Sequence, residues 1–474
     1  MKTYQDLLAV GEREADRMAF IQQVIQQHEG SELFRIAKDA NLYFRGLNPT
    51  IMNAEKIMYD ALGRAQLDPI AANHKIPCRY YYYFISQTVM YLLGNGITFK
   101  NSATKDKLGG AQFDHVAQMM AIKALNAGYA FGFLNVDHVE VLPICGTDGE
   151  VSFAPLYDEE NGALMAGVRY WQIDNTKPLR ATLFEPDGFT EYIKRKAEDM
   201  TVLQEKRPYK LNLGKSEVSG TEILYGENWG TLPIVPLVNV NRQSELVGRK
   251  ATLDAYDLML SQLVNNVSDG ALIYWIIQNA DGMNAADDQA FLDRLKTIHV
   301  AHTDDGQSIT PQQVDVPFQA SETSLERLRG QLFDDFMALD VKNIAGGAAT
   351  ATQIEAAYEP MNIKASMLET CITTWIKGLL DLLGIKDDDP SYQRDTIINK
   401  NEEIQNVLQA AEYTSEAYTT KKLLTIMGDV DAVDAVMRDR LEEDAKRYER
   451  EEPEPEQEEV QQPEKNTIGF GGAE

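Results

Sequence analysis

The sequence predicts an α+β fold in which a mainly antiparallel β region precedes a set of long helices. Within residues 131–240, short apolar runs alternate with the turn sequences TDG, PDG and ENWG, which is typical of an antiparallel meander. After residue 243 the apolar residues recur at helical spacing, and the longest periodic segments are residues 244–268 and 321–340. Strands and long helices therefore occupy separate parts of the chain, as in the α+β class.

Composition limits the functions that this chain can have. Its 474 residues, 44% of them hydrophobic, are enough to bury real cores, so we expect a folded protein. Forty-five basic residues against seventy-three acidic ones give a net charge of −28, the wrong sign for tight binding to nucleic acid. Any contact with DNA should therefore be loose or local.

We expect a soluble intracellular protein with reduced cysteines. Residues 1–18 carry charges too early for a signal peptide, and the strongest apolar run, ALIYWII at residues 271–277, is too short to span a bilayer. Cys78, Cys145 and Cys371 are far apart and have no CxxC spacing. This pattern favours thiols that fill the core over a disulfide framework or a zinc site.

The first half of the chain contains two predicted regions. Residues 1–50 form an N-terminal helical segment, with an amphipathic helix from residue 3 to about residue 40 and a break at RGLNPT. Residues 51–243 mix helix and strand and are mostly antiparallel β from residue 131. Within them, residues 76–99 begin with a proline at a helix entrance and end with Gly-Asn-Gly and a short strand pattern. A helix should therefore lead directly into a strand.

Two long helices are predicted on either side of a small insertion. Segments 244–268 and 321–340 would extend about 37 Å and about 30 Å at the rise of an α-helix. Residues 269–320, between them, have a strand–helix–strand–strand pattern. The chain order makes the two helices antiparallel neighbours, with the insertion at their far end.

The last third of the chain is predicted to be helical and then disordered. Residues 352–386 form a long helix that Pro360 should kink, and helical segments continue through residues 387–450. Residues 451–474 are rich in proline and glutamate and then in glycine, so they should be disordered. The segment VKNIAGGAATA at residues 341–351 is, from local sequence alone, a plain linker between two helices.

Two sequences imitate parts of catalytic or metal-binding motifs. LGKS at residues 213–216 has the end of a phosphate-binding loop, but Tyr209 stands where that loop needs glycine, so a polar hairpin turn is favoured. His299 and His302 lie in an extended pattern without an evident third ligand. A structural or surface role is favoured for both histidines.

Three further sequences also favour structural interpretations. KDDDP at residues 386–390 and TDDG at residues 303–306 are acidic turns, because neither continues to the glutamate that a calcium loop needs. The four tyrosines at residues 80–83 point in different directions on a helix, which favours packing over base stacking. We expect no catalytic site, no metal and no cofactor.

The order of these segments and two strings within them resemble the portal proteins of tailed bacteriophages, of the siphovirus-type family. The more specific string occupies residues 230–269 and is similar to that family's passage into its first stem helix. Its markers are Pro233, Pro236, Asn239, Asn241, the LDAYD core at residues 253–257, Ser261, and Asn265 or Asn266. The second string, YLLGNGITF at residues 91–99, departs from the family at Gly96, where proline is common. The resemblance covers roughly residues 50–384.

The resemblance implies a ring of twelve subunits at one capsid vertex, through which terminase pumps double-stranded DNA. Residues 1–50 remain an N-terminal helical segment in this interpretation. The implied parts are a wing (residues 51–243), stem helices (244–268 and 321–340), a clip (269–320), a tunnel loop (341–351), a long kinked wing helix (352–386) and a helical crown (387–450). The portal-type fold is therefore a β-rich wing with a helical stalk and crown.

The resemblance also implies which residues meet DNA and partners. Gly346 and Gly347 permit unusual backbone geometries in the tunnel loop, and its small side chains would let copies crowd a narrow ring. The expected DNA-facing residues are Val341, Lys342, Asn343, Ile344, Ala345, Gly346, Gly347, Ala348, Ala349 and Thr350. Lys342, the basic residue of this loop, is expected to make a transient phosphate contact. The expected docking residues in the clip are Asn279, Asp281, Gly282, His302, Asp304 and Asp305.

The predicted function is that of a phage portal protein, not an enzyme. The expected partners are eleven further copies of the chain, double-stranded DNA, the terminase large subunit, a head–tail adaptor, and capsid and scaffold proteins, without a membrane. The expected location is the portal vertex of the virion, and the host cytoplasm during assembly. Acidic walls would keep DNA centred and mobile. An enzyme with a helical stalk, and a ring or scaffold protein unrelated to DNA, remain as alternatives.

Overall fold

The computed structural model describes most of the chain. The described residues are 2–59, 63–68, 71–196, 198–215, 222–269, 274–278, 290, 308–312, 318–342, 351–394, 400–427, 435–439 and 442. The chain divides into two compact units. The first comprises Met1–Ala348 and Glu355–Asp395, and the second comprises Ala349–Ile354 and Thr396–Glu474.

The N-terminal segment is helical, as predicted, but it consists of separate helices. They are α1 (Tyr4–Val10), α2 (Glu14–Glu29), α3 (Glu32–Phe44) and α4 (Pro49–Met52). The prediction of one helix from residue 3 to about residue 40 is therefore wrong. Gly11, with φ of +70°, ends α1, and Ser31 caps a new helix immediately after Gly30.

A hairpin, a helix and a short strand follow, and then two more helices. The elements are β1 (Ile57–Tyr59), β2 (Ala65–Leu67), α5 (Tyr80–Leu93), β3 (Ile97–Thr98), α6 (Ser102–Asp106) and α7 (Gln112–Ala127). The predicted helix that leads into a strand within residues 76–99 is confirmed. Gly96, between α5 and β3, has φ of +77°, which suits the tight turn that the sequence indicated there.

The β region is antiparallel throughout its described pairs, as predicted. A five-stranded sheet has the order β10-β9-β8-β7-β6, and a three-stranded sheet has the order β13-β4-β5. The strands are β4 (Tyr129–Asn135), β5 (His138–Pro143), β6 (Ser152–Tyr157), β7 (Leu164–Trp171), β8 (Leu179–Glu185), β9 (Gly188–Lys194), β10 (Met200–Arg207) and β13 (Ile234–Val238).

The LGKS sequence lies at the end of a strand. Strand β11 (Lys210–Lys215) pairs with β12 (Glu222–Glu227) in an antiparallel hairpin, with Gly214 opposite Ile223. A phosphate-binding loop would instead join a buried strand to a helix. The pairing therefore favours the hairpin interpretation of this sequence, although Ser216 lies outside the described residues.

Two long helices and a strand pair occupy the predicted stalk and insertion. They are α8 (Lys250–Asp269), β14 (Tyr274–Gln278), β15 (Ser308–Gln312) and α9 (Phe318–Asp335). Strands β14 and β15 are antiparallel, and α8 packs against α9. The predicted helix and the strand pattern at residues 297–306 lie outside the described part of the insertion.

Both long helices differ in their bounds from the predicted segments. The first begins at Lys250 rather than at residue 244, because residues 244–249 form turns in which Ser244 Oγ accepts a hydrogen bond from Leu246 N (3.1 Å). The second ends at Asp335 rather than at residue 340. Met337 has φ of 51°, and the hydrogen bond from Ala338 N to Phe333 O (2.9 Å) closes the helix end.

The long predicted helix near the C-terminus is present as α10 (Ala351–Leu382), with Pro360 inside it. Strand β16 (Ser391–Tyr392) pairs with β3. The main hydrophobic core lies among α5, α7 and α10, where Phe84, Phe113 and Trp375 are almost fully buried. A second core joins α1 and α2 to the five-stranded sheet. Apolar burial on this scale stabilises the fold of the first unit.

The prediction of helix from residue 387 is wrong at its start, because Ser391–Tyr392 form a strand that pairs with β3 in the first unit. The described part of the second unit is helical from Lys400. It contains α11 (Lys400–Ala410), a short 3₁₀ helix (Ala411–Tyr413) and α12 (Glu416–Met427), and α11 packs against α12. Residues 451–474, which the sequence predicts to be disordered, lie outside the described residues.

The described residues contain neither a membrane-spanning helix nor a cluster of metal ligands. None of the helices there has the length and apolar character needed to span a bilayer. No group of three or more His, Cys, Asp or Glu residues in that part could hold a metal ion. Cys78, Cys145 and Cys371 are all free thiols.

Candidate functional site: the junction of the long helices

The segment 74–78 runs along a buried polar face of α8. Asp257, Ser261 and Asn265 are four residues apart, so they lie on one face of the helix, and all three are almost fully buried. Their side-chain oxygens accept hydrogen bonds from alternate backbone N–H groups of the segment. The bonds join Cys78 to Asp257 (2.9 Å), Ile76 to Ser261 (3.1 Å) and His74 to Asn265 (2.6 Å). We call this arrangement the polar ladder.

A second carboxylate, that of Asp254, extends the polar ladder toward the start of α8. Asp254 accepts hydrogen bonds from the Tyr43 hydroxyl, from Asn48 Nδ2 (3.0 Å) and from Thr50 Oγ1 (3.0 Å). Asn48 Nδ2 also donates to Asp257 (2.8 Å). Burial raises the pKa of Asp257 despite these donors. The chain from α3 to α5 is thus fixed to α8 by side-chain hydrogen bonds.

The C-terminal end of α9 is bound by two cations. Arg249 Nε donates to Asp335 O (2.7 Å), and Lys364 Nζ donates to Phe336 O (3.0 Å). Carbonyl groups in the last turn of a helix have no partner within the helix, and cations there also match the helix dipole. Arg249 precedes α8, and Lys364 lies in α10. These bonds therefore join the three long helices at one place, which we call the helix junction.

A largely buried carboxylate completes the helix junction. Glu245 Oε2 lies 3.2 Å from Lys364 Nζ and 3.1 Å from Arg249 Nη1. Burial lowers the pKa of Lys364. Burial alone would raise the pKa of Glu245, but Lys364 and Arg249 together hold it below its ordinary value. The ionised form of Glu245 is thus favoured inside the protein.

The residues that follow α9 are also held in place. Leu339 N donates to Gln87 Oε1 (3.0 Å), and Gln87 Nε2 donates to Leu339 O (3.1 Å). Arg329 forms two hydrogen bonds with the Asp340 carboxylate, each 2.7 Å, and this pairing lowers the pKa of Asp340. Asp340 also accepts a hydrogen bond from Lys342 N (3.2 Å). The chain is therefore fixed as far as Lys342.

An aromatic cleft opens beside the helix junction. It has a volume of about 410 Å³ and lies between α5, α8, α9 and residues 340–342. Its apolar walls are Tyr80, Tyr83, Tyr256, Leu260, Phe333 and Val341. We call this feature the aromatic cleft. Tyr80 and Tyr83 pack against Phe333 with ring centroids 6.0 and 6.1 Å apart, which favours the packing role predicted for the tyrosine run.

Of the predicted tunnel loop, residues 341, 342 and 351 lie in the described part of the chain, and all three are helical rather than loop. Val341 and Lys342 are exposed at the edge of the aromatic cleft. The other predicted loop residues, Asn343, Ile344, Ala345, Gly346, Gly347, Ala348, Ala349 and Thr350, lie outside the described residues. So do the six predicted clip residues, Asn279, Asp281, Gly282, His302, Asp304 and Asp305, as well as His299 and the TDDG sequence.

The structure also locates residues that sequence reasoning did not select. Lys364 and Gln87 act on the end of α9 from helices far away in the sequence, and no local pattern identifies them. Asp388 of KDDDP accepts hydrogen bonds from Lys100 N (2.9 Å) and Thr104 Oγ1 (2.6 Å). That geometry supports the structural interpretation of the acidic turn. A lone cation on the apolar face of α10 needs a partner, but nothing in the local sequence indicates that this partner is the end of α9.

The chain belongs to the family described as phage portal protein, SPP1 Gp6-like, whose match covers residues 22–458. The predicted family is thereby confirmed. The portal protein of Bacillus phage SPP1 is 23% identical in an alignment of 412 residues, which covers 82% of this chain and 79% of that protein. The portal protein of Clostridium phage phiCD119 is 25% identical in an alignment of 322 residues, which covers 64% of this chain and 69% of that protein.

Two solved structures are also partly similar to this chain. A chain from the virion of a native gene transfer agent particle is 11% identical with a TM-score of 0.40, and the match covers 73% of this chain and 89% of that one. An HK97 family phage portal protein from Corynebacterium diphtheriae is 12% identical with a TM-score of 0.31, covering 66% of this chain and 89% of that one.

Proposed function

We propose that twelve copies of this chain form a ring at one vertex of a phage capsid, and that double-stranded DNA enters and leaves through it. The observation that carries the proposal is membership of the phage portal protein family over residues 22–458. The ring would lie in the virion, after assembly in the host cytoplasm. Its partners would be the terminase large subunit during packaging, a head–tail adaptor afterwards, and capsid and scaffold proteins.

In this proposal α8 and α9 are the stem helices and the insertion between them is the clip, where terminase and adaptor dock. Residues 341–351 form the tunnel loop, residues 51–243 the wing and residues 387–450 the crown. The helix junction supports this assignment, because a loop that touches moving DNA needs a fixed base. Arg249, Lys364 and Gln87 supply that base through direct hydrogen bonds.

The proposed channel acts without catalytic chemistry of its own. The ionised groups at the helix junction are already paired with each other or with backbone carbonyls. Energy for packaging would come from the terminase. A net charge of −28 suits a conduit, since walls that bound phosphates tightly would hold the DNA in place. Lys342, exposed at the start of the loop, would make transient phosphate contacts.

The first test is the native mass of the purified protein, together with particle images of the same sample. A closed ring with a mass near twelve or thirteen times 53.2 kDa and a central hole wide enough for a duplex would support the proposal. A stable monomer or compact dimer at micromolar concentration would contradict it. Detectable hydrolytic activity of the pure protein would instead favour the alternative that this chain is an enzyme.

A further inference from the structure

The β1–β2 hairpin has one face made entirely of apolar side chains. Its register places Ile57 opposite Leu67 and Tyr59 opposite Ala65. Because side chains alternate along a strand, these four residues share one face. Ile57 is 58% exposed, Tyr59 71% and Leu67 62%. We call this surface the hairpin face.

The root of the hairpin is fixed, so the hairpin face has a defined direction. Lys75 Nζ donates to Met52 O (2.6 Å), and Asn73 Nδ2 donates to Ala54 O (3.3 Å). These bonds close the chain on both sides of the hairpin, and the adjacent polar ladder holds residues 74–78 against α8. Two short strands are not stable by themselves in water. The hairpin face therefore needs a partner surface.

The chemistry of the hairpin face limits what that partner can be. The four side chains of the face carry no charge, so DNA is a poor occupant. Permanent interfaces between copies of one chain are more apolar than interfaces with transient partners. A patch with three large exposed apolar side chains therefore fits a second copy of this chain better than a terminase or an adaptor that binds for part of the time.

The aromatic cleft supplies a complementary surface on a different side of α8. Tyr256 and Leu260 line the cleft, and each immediately precedes a residue of the polar ladder in the sequence. Because neighbouring residues of an α-helix are about 100° apart around its axis, the cleft and the polar ladder lie on different faces of α8. The cation Arg79 is exposed at the cleft, and the exposed carboxylate of Glu55 lies two residues before the hairpin face. The apolar character of the two surfaces and the charges of Glu55 and Arg79 are therefore complementary.

We propose that the hairpin face of one copy packs into the aromatic cleft of the next copy. The proposal rests on the proposed ring, in which every copy lies between two others and offers different surfaces to each. A contact between two different patches repeats around such a ring until it closes. Tyr59, the most exposed of the three large side chains of the hairpin face, enters the cleft, and Glu55 faces Arg79.

Substitution on the two faces of the same hairpin tests the proposal. Tyr59→Asp should raise the concentration at which half of the rings dissociate by about 30-fold, the effect of losing a buried aromatic anchor. The matched control is Gln66→Asp, since Gln66 is exposed on the opposite face of the same strand pair. The control should assemble like the wild type. Equal dissociation of both variants would overturn the proposal.

Disulfide formation between copies is the second measurement. In a Cys78→Ser background, Tyr59→Cys combined with Leu260→Cys should give covalent ladders of subunits under mild oxidation, and Gln66→Cys with Leu260→Cys should not. If the wild type forms rings but the variant with Tyr59→Cys and Leu260→Cys gives no covalent ladder, the proposed interface is wrong. The proposed function would then still stand. A wild-type protein that stays monomeric would overturn both. If Tyr59→Asp formed normal rings that were not incorporated into capsids, the proposed contact between copies would be wrong. The hairpin face would then bind another protein.

Discussion

Gln87 and Leu339 are joined by two hydrogen bonds that pair both backbone groups of Leu339 with one side chain. Leu339 N donates to Gln87 Oε1 at 3.0 Å, and Gln87 Nε2 donates to Leu339 O at 3.1 Å. Leu339 is itself buried. A single side chain on α5 thus replaces the helical hydrogen bonds that the chain loses after α9.

Gln87→Ala should lower the free energy of unfolding by about 1–3 kcal/mol, because it leaves the Leu339 N–H without its partner and the Leu339 carbonyl with only the longer bond from the Tyr83 hydroxyl (3.5 Å). Urea unfolding at neutral pH measures this change. Gln331→Ala is the matched control, since Gln331 is exposed and should change stability by less than about 0.5 kcal/mol. Equal effects of the two substitutions would show that the Gln87 bonds do not stabilise this region.

Lys364→Met should lower the free energy of unfolding by about 3–5 kcal/mol, because it removes the cation from a buried pair and leaves Phe336 O without its donor. Adding Glu245→Gln should recover part of the loss, because it removes the uncompensated carboxylate. A double-mutant cycle by chemical unfolding measures this coupling. Strictly additive effects of the two substitutions would mean that Lys364 and Glu245 do not interact energetically.

His28 should make folding stability depend on pH. It is fully buried, its Nδ1 lies 3.0 Å from the Tyr170 hydroxyl, and burial lowers its pKa to about 4. The unfolded chain binds the proton more tightly, so the stability contributed by neutral His28 is fully present above about pH 6.5. It is lost as pH falls toward 4, by up to about 3 kcal/mol. Unfolding between pH 7 and pH 4 measures the slope.

His28→Gln is the control for this pH dependence, because a neutral amide still offers a hydrogen-bonding partner to Tyr170. The variant should show a shallower loss of stability between pH 6.5 and 4 than the wild type. His138→Gln serves as the comparison at an exposed position. An unchanged slope in His28→Gln would contradict the assignment of the titration to this histidine.

Asn265→Leu should lower the free energy of unfolding by about 1–3 kcal/mol, because it removes the acceptor of His74 N from the polar ladder. Hydrogen exchange of the backbone amides at residues 74–78 should become faster in this variant. Asn266→Leu, at the neighbouring exposed position, is the matched control. Equal protection of these amides in both variants would show that Asn265 does not hold the segment.

Lys342→Ala should leave ring assembly and stability unchanged, because the side chain is exposed, but should weaken DNA retention in packaged particles. Loss of one phosphate contact should reduce the slope of log K against log salt concentration by about 0.9, where K is the equilibrium constant for DNA binding. Lys107→Ala, a change at an exposed lysine elsewhere, is the control. Unchanged packaging and retention in Lys342→Ala would contradict a phosphate contact at this residue.

Local patterns predicted much of the fold because they depend on neighbouring residues. The alternation of apolar runs and turns within residues 131–240 predicted antiparallel strands, and strands β4 to β13 follow it. The periodicities around residues 250–269 and 351–382 predicted helices that are present. Helix ends were predicted less well. Residues 244–249 and 336–340 have apolar residues at helical spacing, yet tertiary hydrogen bonds hold them as turns and extended chain.

The helix junction could not be predicted in the same way. Gln87 and Leu339 are 252 positions apart in the chain, and Lys364 reaches Phe336 from a different helix. Nothing in the spacing of either residue indicates its partner. The predicted site residues, by contrast, came from the resemblance to a family, and only Val341 and Lys342 of them lie in the described part of the chain.

By itself the sequence determined the class of fold, the order of strands and long helices, the acidic character and the family. Each of these depends on composition or on residues close together in the chain. The tertiary structure alone decided which side chains hold α8, α9 and α10 together, where α9 ends, and that the four apolar residues of the hairpin share one exposed face. These features depend on hydrogen bonds, register and burial between distant segments, which exist only after the chain has folded.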